Sequence, residues 1–186
     1  MTSSRRRLSL GLVSSLCCAA AFAQGTPEEV ARQQFAAIQA QGIGAVVEYL
    51  HPDALAEFKA TVLPVFEIAG SDQVRSFVFG GPTTMQEIRT MDPSQVMRAF
   101  LRSFGGEFED LQVSFDEIEI VGVVPEGERR HVVARMTVST PDFTIKEYEV
   151  LSFKPFGDTW RLELSSEMQS MATAFRMVLN QLERQQ

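Results

Sequence analysis

Cysteine is nearly absent from this chain of 186 residues: Cys17 and Cys18 are the only two. Both stand inside an N-terminal stretch in which Arg5-Arg6-Arg7 precede an apolar run from Leu8 to Phe22 that closes on Ala21-Phe22-Ala23. A basic start, a short hydrophobic segment and small residues at the cleavage positions predict a secretory signal peptide over 1–23, with cleavage after Ala23. The mature chain, 24–186, then carries no cysteine, which excludes disulfides and thiolate chemistry. Long hydrophobic runs are missing too. The signal's apolar segment is shorter than a comfortable span and nothing after it comes closer, so no membrane association is expected once it is removed.

Positive charge is the next scarcity. Removal of Arg5-Arg6-Arg7 leaves fourteen basic residues against 24 acidic, a formal charge of −10. Such a domain is repelled by phosphate surfaces, so no nucleic-acid partner is expected. Histidine is limited to His51 and His131, with no ligand-spaced pair, and no metal or cofactor is implied. Glu107, Glu109, Asp110 and Asp116 lack the spacing of a calcium loop. Gly80-Gly81 runs into Pro82 with no Lys-Ser or Lys-Thr behind it, and no Gly-x-Ser-x-Gly elbow occurs.

What the chain does have is a run of strand patterns from Leu111 to Leu164. Residues 111–124 are rich in β-branched and aromatic side chains and end at Pro125-Glu126-Gly127-Glu128, which predicts a hairpin. In 129–140 the apolar Val132, Ala134, Met136 and Val138 alternate with a largely polar set. Pro141-Asp142 and then Lys154 to Asp158 punctuate two more runs, 143–153 and 159–164. In the last, Trp160, Leu162 and Leu164 share a face. Short turns between four strands predict an antiparallel meander. In the first strand Leu111, Val113 and Phe115 are odd-numbered whereas Ile118 and Ile120 are even. Two accounts fit that change of phase: a β-bulge near Asp116-Glu117, which would curve the sheet, or a second half covered on both faces.

Residues 27–104 read as mainly helical. Thr26-Pro27-Glu28-Glu29 is a capping box with proline at the first helical position, and Gly42 ends the helix. A shorter helix over 43–50 follows. His51-Pro52-Asp53 breaks the chain and starts another, carrying Leu55, Phe58, Val62, Leu63 and Phe66, with Pro64 as a site for a kink. Ser76 to Phe79 fits a short strand or a helix end. Thr84 with Glu87 fits a short capped helix, and Asp92-Pro93-Ser94-Gln95 opens one to about Phe104, after which Gly105-Gly106 releases the chain into the sheet region, 108–164. Over 166–183, Met168, Met171, Phe175, Val178 and Leu182 form one apolar stripe on a C-terminal helix. That stripe either packs on the domain's own sheet or binds a partner or a second copy. The fold class is thus α+β: N-terminal helices packed on a curved antiparallel four-stranded meander, with a C-terminal helix.

Phe35-Ala36-Ala37-Ile38, Tyr49-Leu50-His51-Pro52-Asp53-Ala54-Leu55 and Gly157-Asp158-Thr159-Trp160-Arg161-Leu162 together resemble the nuclear transport factor 2-like superfamily. That resemblance spans Pro27 to Leu164 and implies a cone-like α+β fold with a pocket between sheet and helices. Some members of the family are cofactor-free isomerases, dehydratases or cyclases, and others are binding or assembly modules. The helical segment at 84–104 and the C-terminal helix depart from its usual pattern.

Candidate residues follow from these patterns. His51 beside Asp53 is the candidate base, against a capping role. His131, behind Arg129-Arg130 on a polar strand face, reads as a surface residue. Glu117, Arg135 and Glu147, one from each of three strands, form either a pocket cluster with Tyr148 or Trp160 beside it or solvent-facing ion pairs. Glu117 and Glu147 are then further base candidates, and Arg135, Tyr148 and Trp160 ligand contacts. Met168, Met171, Phe175 and Val178 are the candidate partner surface. The leading reading is an exported periplasmic or secreted, non-enzymatic domain that binds a small apolar ligand or a protein partner through the sheet cavity or the last helix. Two alternatives stand beside it: a cofactor-free lyase or isomerase of the ketosteroid isomerase-like type, and a homodimeric assembly factor.

Overall fold

The computed structural model describes residues 25–68, 70–165 and 168–170. The predicted signal peptide and most of the predicted C-terminal helix, including Met171, Phe175 and Val178, lie outside them. Helix α1 spans Pro27–Gln41 and starts where the capping box put it: Thr26 N–H donates to Glu29 Oε2 at 2.9 Å while Glu29 N–H donates to Thr26 Oγ1 at 3.2 Å. Gly42, at φ +80°, turns the chain into a 3₁₀ helix over Ile43–Tyr49. His51 then caps α2, Pro52–Phe66, by accepting Asp53 N–H on Nδ1 at 3.1 Å. Two short helices follow, α3 over Asp72–Phe79 and α4 over Met85–Thr90, the second with its own Thr84–Glu87 capping box. The segment Ser76 to Phe79 is therefore a helix end and not a strand.

Helix α5 runs Pro93–Asp110, six residues past its expected end at Phe104. Gly105-Gly106 does not stop it, because the one kcal/mol or so that a glycine costs a helix interior is small beside tertiary packing. Here Val96, Met97, Phe100 and Leu101 are all buried against the core. The release into the sheet falls instead at Leu111-Gln112, where Gln112 takes the left-handed conformation at φ 51°. A strand cannot pass through that geometry, so β1 begins at Ser114 and not at Leu111.

The sheet has the order β1-β2-β3-β4, all antiparallel: β1 Ser114–Glu126, β2 Arg129–Ser139, β3 Thr144–Phe156 and β4 Thr159–Leu162. β1 and β3 each run further than expected, through Pro125-Glu126 and Pro155-Phe156, and the tight turns reduce to Gly127-Glu128 and Gly157-Asp158, whose glycines sit at φ 56° and 58°. β4 is shorter than expected and ends at Leu162. The register slips between Phe115 and Glu117, which places a bulge at Asp116, and again between Ile120 and Gly122. The first slip accounts for the phase change. Val121 and Val124 are exposed, so the second half of β1 is covered on one face only.

The bulge is held from two sides. Gln39 of α1 donates from Nε2 to the Phe115 and Asp116 carbonyls at 2.7 and 3.1 Å, satisfying acceptors that a broken ladder leaves over. The Asp116 carboxylate accepts from Ser114 Oγ at 2.6 Å and from Ser139 Oγ at 2.5 Å.

One sheet face carries Ile118, Ile120 and Val123 from β1 opposite Met136, Ala134 and Val132 from β2, and Leu151 and Phe153 from β3 continue it. The helices cover this face. Phe58 of α2 meets Phe100 of α5 edge-on at 5.1 Å, and Phe66 meets Phe79 at 5.3 Å, in a core that reaches Phe153 and Leu162. Leu50 bridges in parallel to Leu162, and His51 N–H donates to the Leu162 carbonyl at 2.7 Å, so the chain before α2 extends the sheet edge. Residues 168–170 are helical, and Met168 packs against the core.

Candidate functional site

Helix and sheet do not close completely on one another. Between them lies a cavity of about 410 Å³, within the size range of small-molecule sites. α1 supplies Ala31, Gln34, Phe35 and Ile38 to its wall, one stripe at helical spacing, and the 3₁₀ helix adds Ile43 and Val46. Phe100 and Leu101 come from α5; Phe115, Ile118, Met136 and Leu151 come from the sheet. Leu162, Ser165 and Met168 complete the wall near the chain's exit from β4. Phe35 and Phe115 stand edge to face at 6.4 Å.

Three polar side chains interrupt this apolar surface: Gln34, Glu149 and Ser165. Gln34 is 7% exposed, and its Oε1 is buried with no hydrogen-bond partner. Such an atom forfeits on the order of 1–3 kcal/mol unless something pairs with it. Glu149 lies on the inward row of β3 with Leu151 and Phe153, opposite Ala134. No Arg, Lys or His lines the cavity among the described residues.

A second, polar cleft of about 370 Å³ opens beside the N-terminus of α2, where His51, Asp53 and Glu57 face Arg129, His131, Ser152, Lys154 and Glu163 from the sheet. Both histidines are here. His131 Nδ1 lies 2.9 Å from Ser152 Oγ and its Nε2 2.9 Å from Glu126 Oε2. Serine, imidazole and carboxylate in that order form a relay that could carry a proton. The cleft's two cations are already engaged, Arg129 Nε and Lys154 Nζ each 2.9 Å from Glu163. Neither of these two side chains is thus left over to stabilise an oxyanion at Ser152. His51 Nδ1 is given to the Asp53 N–H and its ring meets Phe156 edge-on at 5.5 Å, an arrangement that serves the helix cap. Among the described residues no group of His, Cys, Asp and Glu is placed to hold a metal ion, and no helix is long and apolar enough to cross a membrane.

The structure separates the charged trio read from the strands. Arg135 pairs with Glu119 on the face away from the helices and also meets Tyr148, contacts that raise its pKa. Glu117 stands opposite Thr137 on that same outer face, whereas Glu147, opposite Met136, belongs to the helix-side row at its exposed end. Trp160, half-buried opposite Pro155, lies under the Arg130 guanidinium at 5.4 Å. None of Arg135, Tyr148 and Trp160 lines the apolar cavity; neither do His51, Glu117 and Glu147. Met168, read as a partner contact, is part of the cavity wall. Gln34 and Glu149 are the polar members that sequence reasoning missed, although each left a trace: Gln34 interrupts the stripe Val30, Ala31, Phe35, Ile38, and Glu149 sits two residues before Leu151 on the same alternation. The outer face exposes Val124, Tyr148 and Val150.

Comparison with protein-family profiles, with curated proteins and with solved structures found no match to this chain.

Proposed function

We propose that this chain is an exported, non-enzymatic binding domain that takes a small apolar ligand into the cavity beneath α1. One observation carries the reading: some 410 Å³ of space bounded almost wholly by aliphatic and aromatic side chains, at the seam of helices and sheet. Packed cores contain few voids larger than a water molecule, so a space of this size supports a binding role. The resemblance to the nuclear transport factor 2-like superfamily supports the same reading, since it implies a pocket at this seam. The signal-peptide pattern supports a periplasmic or secreted location.

Glu149 favours a second reading, a cofactor-free lyase or isomerase. A carboxylate in an apolar wall is the kind of group that serves as a base next to a carbonyl. The binding reading is preferred because neither histidine reaches the cavity to share a proton with it.

Native mass spectrometry of the chain secreted by its own cells tests this. The binding reading expects a co-purified, organic-extractable compound of a few hundred daltons, returned unchanged after incubation. A compound returned altered would move the assignment to the enzyme. A ligand-free dimer that takes up no apolar compound would refute both.

A further inference from the structure

Resting on the cavity reading, we infer that the ligand is an anionic amphiphile, its aliphatic chain in the cavity and its carboxylate or phosphate head in an adjoining groove against Arg102. That groove, of about 710 Å³, opens between the C-terminal half of α5, the junction of α1 with the 3₁₀ helix and the start of β1. Four side chains, Ile38, Ile43, Leu101 and Phe115, border both it and the cavity. The two spaces are therefore neighbours across one layer of side chains. Ile43 and Phe115 are only partly buried, and Ile43 stands between Gly42 and Gly44, so this layer is where an aliphatic chain passes from one space to the other.

Polarity changes along that axis as it does along an amphiphile. The inner space is walled almost wholly by apolar side chains, whereas Gln39, Gln41, Arg102, Gln112 and Ser114 border the outer one. Gln39 Nε2 and Ser114 Oγ serve the bulge. Arg102 is the charged member of the groove's lining among the described residues, exposed on α5 one residue along from Leu101. A guanidinium carries five N–H donors and no acceptor, in a fork that fits a carboxylate or phosphate. The head it receives must accept hydrogen bonds, which selects against an amine and favours an anion over a hydroxyl. The chain's net acidity, −7 in full and −10 without the signal arginines, opposes an anion at long range. Salt screens that field over about 8 Å at physiological strength, and a head in an open groove keeps contact with water, so the local cation decides.

The test uses protein spanning residues 24–186 and displacement of the neutral fluorophore N-phenylnaphthylamine by dodecanoate, dodecyl phosphate, dodecanol and dodecylamine at pH 8, below micelle formation. One of the two anions is expected to compete about fivefold better than dodecanol, the upper end of what a solvent-exposed ion pair contributes. The stronger of the two names the head. In Arg102→Gln, which removes the charge at an exposed position, that preference should fall to about one while dodecanol binds as before. Gly105→Leu fills the groove without touching charge. Gly105 borders the groove, no described atom lies within 4 Å of a Cβ placed there, and leucine is the better helix former, so the fold is kept. The preference should vanish there too, with an undiminished melting temperature. Dodecanol or dodecylamine competing as well as both anions would overturn the inference and leave the cavity reading standing. So would a preference for an anion that survives in either variant. If none of the four displaces the probe, the cavity reading itself fails and the inference with it.

Discussion

Ala31 gives the sharpest test of the cavity as a physical object. Its side chain is fully buried on α1 and borders the cavity wall. Ala31→Leu adds three carbon atoms next to that space, so on the cavity reading the new side chain extends into it. At ~0.8 kcal/mol per buried methylene the added carbons contribute about 2.4 kcal/mol, from which ordering a leucine side chain takes about 0.5–1 kcal/mol. The net expectation is a stabilisation of roughly 1.5 kcal/mol, or about 3–6 °C in Tm for a domain of this size. Ala99 on α5 is the control. It is also buried, at 4% exposure, but does not border the cavity. The same substitution there overpacks the core and should cost about 1–3 kcal/mol. Urea unfolding followed by circular dichroism reads both. Opposite signs support the account; a loss at Ala31 equal to that at Ala99 would show that the space beneath α1 is not available to a side chain, and still less to a ligand.

Two further predictions concern the bulge that bends β1 beside that wall. Gln39→Leu removes both donors to the Phe115 and Asp116 carbonyls. The site is exposed, so water replaces part of what is lost and the cost should be about 1 kcal/mol, with an unchanged denaturant m-value; no cost would mean that the ladder alone holds the slip. Asp116 titrates below its ordinary 3.8 because the Ser114 and Ser139 hydroxyls donate to its carboxylate. A depressed carboxylate contributes stability that is present above its ordinary pKa and lost as the pH falls through its folded value. Asp116→Asn should therefore be less stable than the wild type near neutral pH. The two acid-unfolding curves should converge below about pH 3.8, and parallel curves down to pH 2 would contradict this.

Much of the architecture was written in local chemistry. The capping boxes at Thr26 and Thr84 are signals of a few residues, and the helices start where those residues stand. The odd-to-even switch between Phe115 and Ile118 marked the first bulge because a slip of one residue exchanges the faces of a strand. The second slip, between Ile120 and Gly122, left no such mark. Ile120, Val121, Val123 and Val124 are all apolar, and a run without alternation has no phase to lose. Gly105-Gly106 misled for a different reason: local propensity is a weak term, and the chain turns at Gln112, a residue type that rarely signals a left-handed conformation.

The cavity was less legible still. Its wall is assembled from α1, the 3₁₀ helix, α5 and all four strands, so no window of sequence contains it. Glu117, Arg135 and Glu147 stand out in the sequence because they place charge at corresponding positions on successive strands. Strand alternation together with the bulge put the first two on the outer face. What marks the cavity instead is polarity out of place: an amide within the buried stripe of α1 and a carboxylate on the inward row of β3.

The most direct measurement of the central claim is a titration of isotope-labelled protein spanning residues 24–186 with dodecanol, followed by methyl and amide shifts in NMR spectra. The account predicts saturable changes concentrated at Ala31, Ile38, Val46, Ile118 and Met136, which enclose the cavity. Changes confined to Val124, Tyr148 and Val150 on the exposed face of the sheet, or none that saturate, would contradict it.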